Sequence, residues 1–285
     1  MITRREIKAF LGVSLLKLFI AITSLFLVVF LYVILSKGGK VISWSFFTES
    51  PRRFMTEGGI YPAIIGTFWL IVISIGFALP LGVLTAIFLT SYAKPPWFVR
   101  IMRIAINTLA GVPSIIYGLF GLTVFVRLMH FDVSILSGSL TLGILALPVI
   151  INASEEALRS VPTDFREASL ALGATERQTI IKVLLPTALP NILTGAIISI
   201  GRVAGETAPI LFTAATFYTR VLPTSIMDEV MALPYHIYAL MTEGSHAEKQ
   251  VPIAYGTAVV LLALVLLIST VAIIIRYRIR KKRKW

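Results

Sequence analysis

The stretch from Asp164 to Pro186, DFREASLALGATERQTIIKVLLP, is punctuated as two short helices meeting at a glycine corner. Asp164 stands three residues before Glu167 in an N-cap arrangement, Gly173 suits a left-handed C-terminal cap, and Thr175 with Gln178 has the spacing of a capping box. Pro162 precedes the first helix, and Pro186 is expected to stop the second because proline has no N–H to give to a helical ladder. Phe165, Leu170 and Leu172 place apolar side chains on an otherwise polar helix. They need a surface to pack against. Physical chemistry offers two: the bilayer interface, where short amphipathic helices lie, or a groove on a partner that receives an apolar helix.

On both sides of this loop the chain is apolar in long blocks. Of the 285 residues 57% are hydrophobic and 14% charged, too few polar side chains to cover a water-soluble surface. A helix crosses the hydrocarbon with roughly 20 apolar residues. Blocks of about that size lie near 18–36, 64–90, 104–126, 137–151, 192–215 and 253–275, the fourth being the shortest. Arg4, Arg5, Lys8 and Lys17 precede the first block, as in a secretory signal, but its apolar core is too long for one. Ser36-Lys37-Gly38-Gly39 also lacks a small-x-small cleavage site, so an uncleaved anchor is expected.

Six spans put both termini on one face of the membrane. Lys and Arg concentrate at the N-terminus, in 91–103, in 153–190 and at the C-terminus, whereas the opposite loops hold only Lys37, Lys40, Arg52, Arg53, Arg127, Arg220 and Lys249. Both ends are therefore expected to be cytoplasmic in a multi-pass cell-membrane protein. The net charge of +12 and the run Arg276, Arg278, Arg280, Lys281, Lys282, Arg283, Lys284 raise the question of nucleic acid. The run directly follows an apolar span and serves as a topological anchor on anionic lipid, so membrane lipid and no nucleic acid is the expected partner. One membrane domain over 1–285 is expected, made of an anchor helix and outer loop (1–60), a core (61–275) and a basic tail (276–285). The absence of cysteine excludes disulfides and thiolate chemistry. His130, His236 and His246 fall in outer loops without ligand spacing, and are expected to be solvated and to hold no metal.

The fifth block contains Arg202 and Glu206 four residues apart. An intramembrane Arg costs roughly 2.5–3.5 kcal/mol on insertion scales, and such residues face a bundle interior or a wet cavity. Counting by threes and fours from Asn191 gives Gly195, Ser199, Arg202, Glu206, Pro209 and Thr213, all small or polar, while Ile197, Ile200, Val203 and Leu211 project elsewhere. Arg202, Glu206, Ser199, Thr213 and Asn191 are therefore the candidate lining of a substrate path. A guanidinium bonds tetrahedral oxyanions bidentately and keeps its proton, and Glu206 would neutralise the empty site. It would also accept a hydrogen bond from the proton that phosphate carries at neutral pH and sulfate does not. The alternative is a salt bridge that only ties helices together, with Gly201 and Gly205 as a packing site.

Residues 167–186, Glu167-Ala168-Ser169, then Gly173, then Val183-Leu184-Leu185-Pro186, closely resemble the EAA-x3-G-x9-I-x-LP loop of ABC importer permeases, with Ser169 and Val183 as conservative departures. Gly58-Gly-Ile-Tyr-Pro-Ala-Ile-Ile-Gly-Thr67, Gly111-Val-Pro-Ser-Ile-Ile-Tyr-Gly-Leu-Phe120 and Gly205-Glu-Thr-Ala-Pro209 are similar to segments of phosphate-specific permeases of the PstA type. The resemblance implies an all-α membrane protein of about six transmembrane helices, with the type I ABC importer (MetI-like) permease fold. In it a cytoplasmic coupling helix at 164–173 docks on a separate ATPase through Asp164, Phe165, Glu167, Ala168 and Gly173. It further implies a homologous PstC-like second permease chain, two PstB-like ATPase subunits and a PstS-like extracytoplasmic phosphate-binding protein. Gly111, Pro113, Ser114 and Tyr117 are a second candidate stretch of path, or else ordinary helix packing. No G-x4-GK[ST] occurs, and Gly38-Gly39-Lys40 lacks its spacing, so this chain is expected to carry no cofactor and no ATPase site. ATP-Mg belongs on the partner. The competing expectations are a permease for sulfate or molybdate, a secondary transporter driven by an ion gradient, and a lipid-modifying enzyme. For the last, no nucleophile-base constellation is present.

Overall fold

The computed structural model describes residues 4–244 and 246–281, with side chains described from residue 12. Lys282, Arg283 and Lys284 of the basic tail lie outside the described residues. The chain begins with α1 (Arg4–Gly38), followed by the short α2 (Trp44–Thr48) and an antiparallel pair, β1 (Pro51–Arg52) with β2 (Glu57–Gly58). Then come α3 (Tyr61–Ile87), α4 (Pro96–Ala110), α5 (Ser114–Gly121), α6 (Ile135–Arg159), α7 (Thr163–Ala171), α8 (Glu176–Thr179) and α9 (Leu185–Gly205). The last elements are α10 (Ala208–Thr213), α11 (Leu233–Thr242) and α12 (Ala247–Lys281). Five segments are long and apolar enough to cross a membrane, and α4 with α5 make a sixth if that bent pair is one span. Apolar side chains that water would penalise, such as Phe26 at 73% exposure on α1, are at home against hydrocarbon.

Three expected spans differ from the observed ones. The block 104–126 is not a straight helix: α4 and α5 meet at 98°. Pro113 supplies no N–H and disfavours helical geometry at Val112, so α4 ends at its Gly111 cap. The carbonyl of Leu109, to which Pro113 has no N–H to give, accepts from the Val112 N–H at 3.0 Å and from the Tyr117 hydroxyl at 2.8 Å. The short fourth block is a full helix of 25 residues, because Asn152, Ser154, Glu155 and Glu156 continue α6 beyond its apolar part. The fifth span runs from Glu176 to Gly205, and Pro186 does not end it. A π turn over Ile180–Leu184, closed by the Leu185 N–H on the Ile180 carbonyl, widens the helix just before Pro186, which then sits in the first turn of α9.

The core pair is α3 against α6, with α9 packed on both. Small residues set these separations: a Cβ on Gly82 would strike Ile150, one on Gly143 would strike Phe77, and one on Gly195 would strike Ala153. Gly195→Leu is expected to cost about 1–3 kcal/mol or more by overpacking, seen as a lower unfolding midpoint in detergent. Gly201→Leu should not lower that midpoint, because a Cβ there meets nothing within 4 Å.

The long outer loop is folded, which corrects the reading of His236 as solvated. Ala215 and Val230 form a parallel bridge, in which the Thr216 N–H donates to the Val230 carbonyl at 2.9 Å and the Val230 N–H to the Ala214 carbonyl at 3.0 Å. The N–H of Leu233, at the start of α11, donates to Thr67 Oγ1 of α3 at 2.8 Å. His236 is 2% exposed on α11, and burial depresses its imidazole to about 4, so it is neutral at physiological pH.

Candidate functional site

Sequence periodicity makes one polar stripe of residues 191–213, whereas the structure distributes them over three environments. Asn191 is exposed near the start of α9 and donates to Ser160 Oγ at 3.3 Å. With Glu156, Ser160 and Thr194 it lines a cleft of about 310 Å³. Eleven residues of helix, ~16 Å, separate it from Arg202. Ser199 is fully buried in the packing of α9, and Gly195 is pressed on Ala153. Pro209 and Thr213 belong to α10, where the Thr213 hydroxyl donates to the Pro209 carbonyl at 2.8 Å and is wholly buried. The stripe fails as a single helical face because α9 stops at Gly205.

At that stop Arg202 and Glu206 remain together. Glu206 follows the last helical residue with extended backbone, φ −75° and ψ 130°, and its N–H reaches the Val203 carbonyl. Arg202 lies in the last turn, where a cation is favoured by the unpaired carbonyl ends of the helix. Its Nε faces Glu206 Oε1 at 3.7 Å, with side-chain exposures of 34% and 18%. The contact is an ion pair too long for a hydrogen bond, and it engages Nε and not the outer fork of the guanidinium. Non-helical backbone within a membrane is tolerated where protein buries it or where it borders a wet cavity. The break at 206–207 is packed by α5, whose Gly118 lies against the Ala208 carbonyl. Gly118 also meets Pro209 Cα, so α5, which carries Tyr117 one residue earlier, packs on the chain directly after Glu206. Gly201 and Gly205 are exposed and pack against no other part of the described chain.

The elbow at 163–180 is built largely as its punctuation indicates. Gly173 has φ +83°, and the Thr175–Gln178 capping box closes with bonds of 3.2 and 2.9 Å. Arg166 donates to both oxygens of Glu176 at 3.0 Å and Ser169 meets Thr179 at 2.9 Å, strapping α7 to α8. One detail is corrected: Pro162 takes the cap position of α7, and Asp164 sits in its first turn, where its charge faces the positive helix end without capping it. Glu167, Ala168 and Leu172 are exposed, Leu172 at 89%, and Phe165 is half-buried. Leu172 is thus a large apolar side chain left uncovered at the corner between α7 and α8.

A cluster not anticipated from the sequence stands behind this elbow. Glu155, 7% exposed on α6, receives Arg103 of α4 at 2.6 Å and Arg159 at 2.9 Å, both on Oε1. The i,i+4 spacing of Glu155 and Arg159 was the one signal available, since nothing in the sequence placed Arg103 beside them.

Known proteins resemble this chain along most of its length. The family of binding-protein-dependent transport system inner membrane components matches residues 78–285. The probable ABC transporter permease protein YqgI of Bacillus subtilis is 35% identical over 254 residues, covering 85% of this chain and 86% of that protein. The phosphate transport system permease protein PstA of Mycobacterium leprae is 38% identical over 226 residues, covering 78% and 73%. PstA 1 of Mycobacterium tuberculosis (strain H37Rv) is 35% identical over 263 residues, covering 90% and 84%. Among solved structures, a bacterial ABC transporter involved in alginate import superposes with a TM-score of 0.65 at 17% identity, covering 96% and 99%. An inward-facing form of the MetNI methionine ABC transporter superposes at 0.57 and 24%, covering 78% and 94%. These superpositions establish the expected helical permease fold.

Proposed function

Because the chain belongs to the family of binding-protein-dependent transport system inner membrane components, we propose that it forms half of the translocation path of an ATP-driven importer of inorganic phosphate. The observation that carries the choice of an oxyanion is a guanidinium in an apolar span, at the broken end of α9, whose closest approach to its own carboxylate is through Nε. A tetrahedral oxyanion is the natural ligand of the guanidinium's outer fork. Glu206 balances the charge when the site is empty and accepts a hydrogen bond from the proton that monohydrogen phosphate keeps when it is full. The chain supplies no nucleotide chemistry in this reading. ATP-Mg is bound and hydrolysed on two PstB-like subunits, against which the elbow with Asp164, Phe165, Glu167, Ala168 and Gly173 docks. A PstC-like chain supplies the other half of the path, and a PstS-like binding protein delivers phosphate from outside. Both termini and the elbow lie in the cytoplasm, on the side enriched in Lys and Arg.

The test is uptake by the complete complex in proteoliposomes, with phosphate and sulfate each as labelled substrate. Phosphate uptake that needs ATP and the binding protein supports the reading, and preferential sulfate uptake replaces it with a sulfate importer. Glu206→Gln removes one charged hydrogen-bond acceptor, worth about 1.5–3 kcal/mol. It is therefore expected to lower the phosphate-to-sulfate uptake ratio about tenfold or more. An unchanged ratio and rate would remove Glu206 from substrate selection.

A further inference from the structure

Helix α4 is attached to the bundle in an unusual way. Val99 is its one buried side chain among the described residues, while Trp97, Ile101, Ile104 and Leu109 are 45–63% exposed. Polar ties along one face hold it instead. Arg103 reaches Glu155 at 2.6 Å, and one turn on, Asn107 Oδ1 accepts from Asn152 Nδ2 at 3.0 Å. The two residues of α4 are four apart and their partners on α6 are three apart, so the helices are zipped side by side through hydrogen bonds with little apolar packing. A helix held in this way changes position at the cost of a few specific bonds, and remains fixed as long as those bonds persist.

The position of the zip matters. Glu155 also binds Arg159, in the last turn of α6, and α7 begins four residues after Arg159, at Thr163. The far end of α4 is the 98° bend, where Leu109 accepts the Tyr117 hydroxyl, and the next residue of α5, Gly118, packs on Ala208 and Pro209 just after the Arg202–Glu206 break. We propose that Glu155 is a positioning residue that latches α4 to the elbow end of α6, so that displacement of the elbow carries α4 with it. The motion is then delivered through the Leu109–Tyr117 bond to the Arg202 site. The inference rests on the importer reading for its functional consequence, but its mechanical content does not. Glu155 touches no substrate. It joins two moving parts.

The experiment uses the full complex and two readouts. The chain has no cysteine, so once any cysteines of the partner subunits are replaced, spin labels can be placed at exposed Ile101 of α4 and exposed Glu156 of α6 without background. In the wild-type background the label distance is expected to stay the same with and without trapped ATP, because the latched helices move together. In Glu155→Gln the distribution is expected to broaden or shift with nucleotide. In unlabelled proteoliposomes, Glu155→Gln and Tyr117→Phe are each expected to retain ATP hydrolysis while the phosphate imported per ATP falls severalfold. The exchange Arg103→Glu with Glu155→Arg is expected to restore the ratio, which separates lost charge pairing from a misfolded chain. A distance that changes between nucleotide states in the wild-type background overturns the latch. So does a Glu155→Gln complex whose imported phosphate per ATP stays within twofold of wild type, or one whose hydrolysis and transport fall in parallel. Failure of the wild-type complex to move phosphate would instead remove the substrate reading, and the spin-label distances would still decide the latch.

Discussion

Arg202→Ala is expected to reduce phosphate uptake by the reconstituted complex about 100-fold or more, because each charged hydrogen bond to the anion contributes about 1.5–3 kcal/mol and the fork supplies two. The same substitution should leave complex assembly intact. Its ion pair with Glu206 is a 3.7 Å contact on a side chain that is 34% exposed, and pairs of that kind contribute about 0–1 kcal/mol. Loss of activity with retained assembly is what distinguishes a substrate ligand from a structural bridge. Arg202→Lys keeps the charge and loses the planar fork, so an intermediate defect is expected. The double substitution Arg202→Ala with Glu206→Gln sharpens the test further. In the single variant Glu206 is an unbalanced carboxylate beside the path and repels the incoming anion, so neutralising it should recover part of the uptake. Uptake in the double variant no better than in the single one would show that Glu206 does not face the anion.

The unevenness of what the sequence revealed has a physical explanation. Signals local to a few residues read well: the left-handed Gly173, the Thr175–Gln178 box and the long apolar blocks each depend on chemistry within one or two turns. Boundaries inside the membrane read poorly. Pro186 looked like a stop but follows a π turn and sits in the first turn of α9, whereas the chain bends by 98° at the break that holds Pro113. Polar residues near a membrane face were also misread. Asn152 to Glu156 resemble a loop, yet they continue α6, with Asn152 and Glu155 tied to Asn107 and Arg103 of α4 in another part of the chain. The pairing of Arg202 with Glu206 was legible at i,i+4, but the break between them was not. An extended Glu206 has no local signature beyond Pro209 three residues later. The polar end of α6 was settled by long-range pairing with α4, which a single sequence does not display.

Gly173→Val is expected to release the ATPase subunits, lowering the amount that copurifies with this chain at least tenfold. The cause lies in the backbone. Gly173 sits at φ +83°, where a β-branched residue is strained, and left-handed geometry costs an L-residue roughly 1–2 kcal/mol even without branching. Space is not the issue, because a Cβ at this position would meet nothing within 4 Å. The strain is relieved by opening the corner, which pulls α7 away from α8 against the Arg166–Glu176 and Ser169–Thr179 ties and moves Leu172 off the position in which it is presented. Asparagine tolerates the left-handed region, so Gly173→Asn should copurify with nearly as much ATPase as the wild type. Leu172→Asp leaves the corner intact and replaces its most exposed apolar side chain with a charge, so it should also weaken copurification. If Gly173→Val and Gly173→Asn behaved alike, the corner geometry would be irrelevant to docking. If Leu172→Asp kept full copurification, the ATPase would have to be held by another surface. Membrane insertion is expected to be normal in all three variants, since the substituted side chains face away from the helical core and leave every apolar span unchanged.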